Sequence, residues 1–198
     1  MNIYKLKHDV ENFGWIEPIG NWFNFFWELQ NSKPLGHFDK IIKFKQIKDK
    51  PEIVLGDFPN YSIPIISENV KEAIQEYFSK LVEIFPINIK NKKTQKYYFM
   101  NVINIYDCLD IENSEIKYFT SSNQIMTIKK YVFKEMLENK SRIFKIKNNE
   151  RGEIYVNENT KQIFENANLQ GFVFEDTSLP YENPFEKILR KQKGKEGK

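Results

Sequence analysis

The clearest periodicity in the chain lies in SIPIISENVKEAIQEYFSKL, residues 62–81, where Val70, Ala73, Ile74, Tyr77, Phe78 and Leu81 recur at the spacing of one helical face. Pro64 favours an extended residue before it, Ser67 is a good N-cap, and Glu68 stands in the first turn, where the helix dipole favours an acid. The spacing therefore predicts an amphipathic helix after Ser67 that lays an apolar stripe on a sheet.

Period-two alternation dominates elsewhere. In YYFMNVINIY, residues 97–106, Tyr97, Phe99, Ile103 and Ile105 point one way and Tyr98, Met100, Val102 and Tyr106 the other, as in a central strand apolar on both faces. RIFKIK at 142–147, EIYVN at 153–157 and FVF at 172–174 read as further strands, with a short helix near 158–168 and Gly171 as its stop. FTSSNQIMTIKKYVFKEML, residues 119–137, supplies one more strand and a helical turn. Residues 1–60 read as short strands and loops, with IYKL at 3–6, the aromatic run WFNFFWEL at 22–29 and IIKFKQI at 41–47. Strands and helices are interspersed without the regular alternation of a parallel doubly wound fold. The expectation is an α+β single domain over 1–178, with a mixed, largely antiparallel sheet covered by two main amphipathic helices. Its aromatic-rich part is 1–60, its core 61–178, and a basic tail follows at 179–198.

Composition narrows the class. With 198 residues, 40% hydrophobic and 15% aromatic, the chain is too rich in Phe and Tyr for a disordered protein. No run of 18 apolar residues and no signal peptide is evident, and Cys108 is the only cysteine, so a reducing, cytoplasmic setting is the expectation. The net charge is +3, but the last twelve residues hold six basic residues and one acid, which leaves the rest of the chain at −2. The basic excess is thus a terminal feature, read first as a solvated tail and second as a tether to phosphates.

Candidate chemistry is sparse. His8 and His37 are the only histidines, and neither has the spacing to join Cys108 as a metal ligand; a Cys–His nucleophile pair would have to form in space, from a cysteine at the end of a buried strand. There is no GxGxxG, GxxxxGK[ST] or GxSxG, so no cofactor is expected. The acids Asp107, Asp110, Glu112 and Glu115 lack the pattern of a calcium loop. Asp107 is expected to close the strand by accepting turn amides, with Asn113 or Ser114 directing the turn; an acidic edge open to a partner, with Asp110, Glu112 and Glu115, is the second reading and catalytic carboxylates the third.

The order of segments carries a resemblance. IPIISENVKEAIQ, VEIFPINI, YYFMNVINIYDCLDIENSE, RIFKIK and EIYVNENTKQIFENANLQGFVF together resemble the bacterial polymorphic-toxin immunity proteins of family 11, a group named after a myxobacterial immunity protein and formerly a domain of unknown function. The likeness covers roughly residues 61–176 and rests on Asn101, Val102, Asp107, Leu109, Asp110 and Ser114, and on Leu169, Gly171 and Phe174. Asn157 stands where the family often shows Ser, and it still caps a helix. The resemblance implies a non-catalytic protein that binds and neutralises a cognate protein toxin by stoichiometric occlusion. The alternative is a nucleic-acid-associated protein using the basic tail and the N-terminal aromatics; nucleic acid is the disfavoured partner, and membrane insertion is not expected.

Overall fold

The helix foreseen after Ser67 forms as α1, Glu68–Phe78, and the Ser67 hydroxyl accepts the Val70 amide at 3.3 Å. Val70, Ile74 and Phe78 are buried, and Ala73 and Leu81 pack beside them. Tyr77 departs from the predicted stripe: it is 46% exposed, leaving its amphipathic ring at the surface. The second helix, α2, spans Glu158–Asn166 and is capped by Asn157, whose side-chain oxygen accepts from the Thr160 amide at 3.0 Å. It stops earlier than Gly171. The Ala167 and Asn168 amides return to Ile163 and Glu165 carbonyls, and Asn168 takes a left-handed conformation with φ 53°.

These are features of a computed structural model that describes residues 1–20, 29, 32–36, 38, 42–47, 54–60, 62–92, 95–135 and 139–181. The aromatic run at 22–27, His37 and the basic residues of 187–198 lie outside that set.

The described strands are β1 (Ile3–His8), β2 (Ile16–Pro18), β3 (Lys43–Gln46), β4 (Ile65–Ser67), β5 (Val82–Pro86), β6 (Asn88–Ile89), β7 (Tyr97–Val102), β8 (Ile105–Tyr106), β9 (Glu115–Tyr118), β10 (Ile125–Lys130), β11 (Ile143–Ile146), β12 (Ile154–Asn157) and β13 (Phe172–Asp176). They make four sheets rather than the single one expected, in the orders β13-β1-β12-β11-β8, β4-β7-β5, β2-β3-β6 and β9-β10. Pairing is antiparallel except for β11 with β8 and β3 with β6, so the class is α+β with mixed, largely antiparallel sheets.

The long strand predicted over 97–106 is divided, and the cause is local. The Ile103 and Asn104 amides both turn to the Leu81 carbonyl, and the Asn104 side chain donates to the carbonyls of Lys140 and Ile143, each at 2.7 Å. β7 is central in its sheet as expected, while β8 is carried off to the edge of the five-stranded one.

That five-stranded sheet separates two cores. Tyr4 and Leu6 of β1 and Ile154 and Val156 of β12 join Val70, Ile74, Phe78 and Phe164 of the helices on one side. Ile3, Phe144, Ile146 and Tyr155 face the other way, toward Ile125 and Ile128 of β10. Alternation along β1 also aims Lys5 and Lys7 to this second side, where β10 reaches over part of the sheet.

Candidate functional site

The four acids after β7 have different occupations. Asp107 is paired with Lys134 and Lys147 at 2.9 and 3.0 Å, and hydrogen bonds from these lysines hold its carboxyl below the ordinary range. The amide-accepting role expected of Asp107 belongs to Asp110. Its Oδ1 accepts from the Glu112 and Asn113 amides at 3.1 and 3.2 Å, and Oδ2 accepts from the Asn113 side chain at 2.7 Å. Those bonds, the Asn113 side chain foremost, lower the Asp110 pKa. Ser114 secures the same turn through Val132, and Glu115 of β9 pairs with Lys129 of β10 at 3.0 Å. Glu112 is exposed on the turn that Asp110 organises. The structure therefore places Asp110, Glu112 and Glu115 along one turn and hairpin, with two of the three bonded within the fold.

A cleft of about 900 Å³ opens on the second side of the five-stranded sheet. Its floor follows from register: Lys5 lies opposite both Tyr155 of β12 and Glu175 of β13. Lys5 is only 8% exposed and donates to Glu175, which also accepts from Lys7 at 2.7 Å. The Lys5 ammonium stands 5.1 Å from the centre of the Tyr131 ring, and the Tyr131 and Tyr155 hydroxyls are 3.2 Å apart. Burial raises the pKa of both tyrosines, so both are neutral hydrogen-bonding groups at physiological pH.

The two floor glutamates differ. Burial pushes Glu175 upward, but the Lys5 and Lys7 hydrogen bonds outweigh it and leave its pKa lowered. Glu153 meets Lys7 at 3.9 Å, and there burial wins and the pKa is raised. Val10, Met126, Leu179 and Tyr181 are exposed apolar side chains among the lining residues. A charged, hydrogen-bonded floor beneath apolar side chains suits recognition of a mixed polar and apolar surface.

Other chemistry-bearing side chains are fixed inside. Cys108 is buried, and that burial pushes its thiol up to about 12, far from a reactive thiolate. His8 is 5% exposed, burial lowers its pKa, and its Nε2 has no hydrogen-bond partner among the described residues. No group of three or more His, Cys, Asp or Glu among the described residues could hold a metal ion. Among them, too, no helix is long and apolar enough to cross a membrane.

Sequence reasoning missed the cleft because its floor comes from β1, β12 and β13, far apart in the chain. The one available signal was the Lys5–Leu6–Lys7 alternation, which reads as a solvent face.

A family model described as an immunity protein family, Imm11, matches residues 17–178. The chain is also similar, at 34% identity over 82 residues, to the sulfite reductase [NADPH] hemoprotein beta-components of two Staphylococcus epidermidis strains. That match takes in 39% of this chain and spans 14% of the length of those curated relatives.

Proposed function

The chain belongs to the Imm11 immunity protein family, and on that premise we propose that it binds a cognate bacterial protein toxin in the cytoplasm and neutralises it by stoichiometric occlusion, without catalysis. The family match over most of the chain is the observation that carries this reading. The residue chemistry supports it: the Cys108 thiol is buried, Asp107 is spent on two lysines, and Asp110 is spent on its own turn. Occlusion needs a shaped surface rather than a reactive group.

Within this reading the acidic turn is one contact. Glu112 is the acid there that offers charge outward, while Asp110 and Glu115 set its position. A basic toxin would be drawn to such an edge, mainly through a faster encounter.

The test is titration of the purified chain into the activity assay of a candidate toxin recovered with it from its native cells. Inhibition should be complete at one equivalent, and the complex should persist on gel filtration. Residual turnover that stays constant beyond one equivalent, or toxin modified chemically by the chain, would reject occlusion.

A further inference from the structure

We propose that the cleft over β1, β12 and β13 receives a lysine or arginine side chain carried on an apolar stretch of a protein partner, with Glu153 as its acceptor. Where that partner is the toxin, the inference rests on the immunity reading above.

Glu153 is the floor carboxylate with capacity left. Lys7 Nζ is 2.7 Å from Glu175 but 3.9 Å from Glu153, and Lys5 is also committed to Glu175. A partner cation within hydrogen-bond reach would add a close contact where Lys7 stays at 3.9 Å, and the exclusion of water on binding would strengthen it. Burial raises the Glu153 pKa against the attraction of Lys7, Lys5 and Lys145, and a closer cation would lower it.

Two of the remaining charged groups of the lining are engaged within the fold. Lys129 is held by Glu115 at 3.0 Å, and Asp176 accepts the Ser178 amide at 2.8 Å. Arg151 is exposed at the lining rather than part of the buried floor. An incoming carboxylate would find Lys5 and Lys7 already bonded to Glu175 and would meet the like charge of Glu153.

The apolar side chains decide what carries the cation. Val10, Met126, Leu179 and Tyr181 give a guest apolar contact around its charged centre. An Arg anchor ringed by contacts that exclude water is a common form of interface hot spot. The floor is preorganised, because Lys5, Tyr155 and Glu175 are set by adjacent ladder positions, so little side-chain ordering is left to binding.

The experiment uses the full chain and three blocked heptapeptides that differ only in the central residue, Arg, Gln or Glu, flanked by Leu and Val. Binding is followed by backbone amide shifts. The Arg peptide should bind about tenfold or more tighter than the Glu peptide, the size of one charge-assisted contact, and shift the amides of Lys5, Met126 and Glu153. Glu153→Gln, which matches the neutral carboxyl in shape, should abolish that preference and keep the fold. Met126→Asp should weaken binding of the Gln peptide, which reports the apolar contacts alone. Equal affinity for all three peptides, a preference that survives Glu153→Gln, or no binding at millimolar peptide would each overturn the proposal. Full toxin neutralisation by Glu153→Gln would remove the cleft as the toxin's site and leave the immunity reading standing.

Discussion

Gly56 and Gly171 stand back to back: a Cβ built on Gly56 would lie 2.9 Å from the Gly171 Cα, and one built on Gly171 would lie 3.1 Å from the Gly56 Cα. Around this contact the Asp57 amide donates to the Gln170 carbonyl, the Gln170 amide donates to Asp57 Oδ2, and Asp57 Oδ1 accepts the hydroxyl of the helix cap Ser67. The start of β13 is thereby latched to the start of α1. Gly171 also has φ +84°, which side chains resist. Gly171→Ala should therefore destabilise by about 1–3 kcal/mol, the usual range for overpacking and left-handed strain. A urea midpoint equal to that of the native chain would show that the two loops separate without cost.

The helix caps are a second place where single atoms matter. Ser67→Ala removes both the Val70 contact and the link to Asp57, and Asn157→Ala removes the Thr160 contact from a residue that is itself buried. Each should cost roughly 1–2 kcal/mol by chemical denaturation. Combined, they should add, because they cap different helices.

How far these features were legible follows from how local they are. α1 could be read because its cap, first-turn acid and apolar period all lie within twelve residues. Asn157 was readable as a cap for the same reason. Gly171 was readable as special but not for its reason: the close approach to Gly56 joins loops 115 positions apart. The turn amides go to Asp110 rather than to Asp107, the expected acceptor, because Asp107 is held by Lys134 and Lys147, which reach it only through tertiary structure. Lys5 lies in the short strand IYKL, and nothing near it in sequence announces Glu175, Tyr131 or the cleft they build.

Lys145 gives a prediction with a definite sign. It is 4% exposed and donates to the Glu150 carbonyl at 2.7 Å, and burial lowers its pKa to about 8, against attraction from Glu150 and Glu153. Between that value and the ordinary lysine value the unfolded chain holds a proton that the folded chain has released, so stability contributed by this group rises as pH increases from about 8 to 10. The Glu150 carbonyl also accepts from Ser32, so it keeps a donor when Lys145 is replaced. Lys145→Met should therefore be neutral or stabilising by about 1–2 kcal/mol at pH 7, and should flatten the alkaline rise. Strong destabilisation at pH 7 would mean that the ammonium's contacts outweigh its burial.

His8 works in the acid range. Burial lowers its pKa, opposed by Asp9 and a backbone hydrogen bond with Gly14, so the folded chain keeps it neutral where the unfolded chain begins to protonate. Stability should fall as pH drops below about 6.5, the unfolded value. Protonation would put a proton on Nε2, which has no acceptor among the described residues. His8→Gln should reduce the slope of midpoint against pH between about pH 6.5 and 5; an unchanged slope would assign the acid loss to carboxylates instead.

The acidic turn yields the sharpest test of surface against scaffold, because neighbouring acids have opposite predicted effects. Asp110→Ala removes the acceptor for two amides and the Asn113 side chain, so it should lower stability, with whatever loss of toxin binding follows from a loosened turn. Glu112 is exposed on the same turn, and its replacement changes charge without removing a bond that holds the turn. Glu112→Lys should leave the thermal midpoint within about 1 °C, as surface substitutions generally do, and slow association with a basic toxin several-fold at low salt, an effect that fades as salt is added. The association rate at two ionic strengths decides the matter: a rate unchanged at low salt would detach Glu112 from toxin capture, whereas a salt-sensitive drop together with a weakened Asp110→Ala fold would separate the charge that meets the partner from the charge that builds the turn.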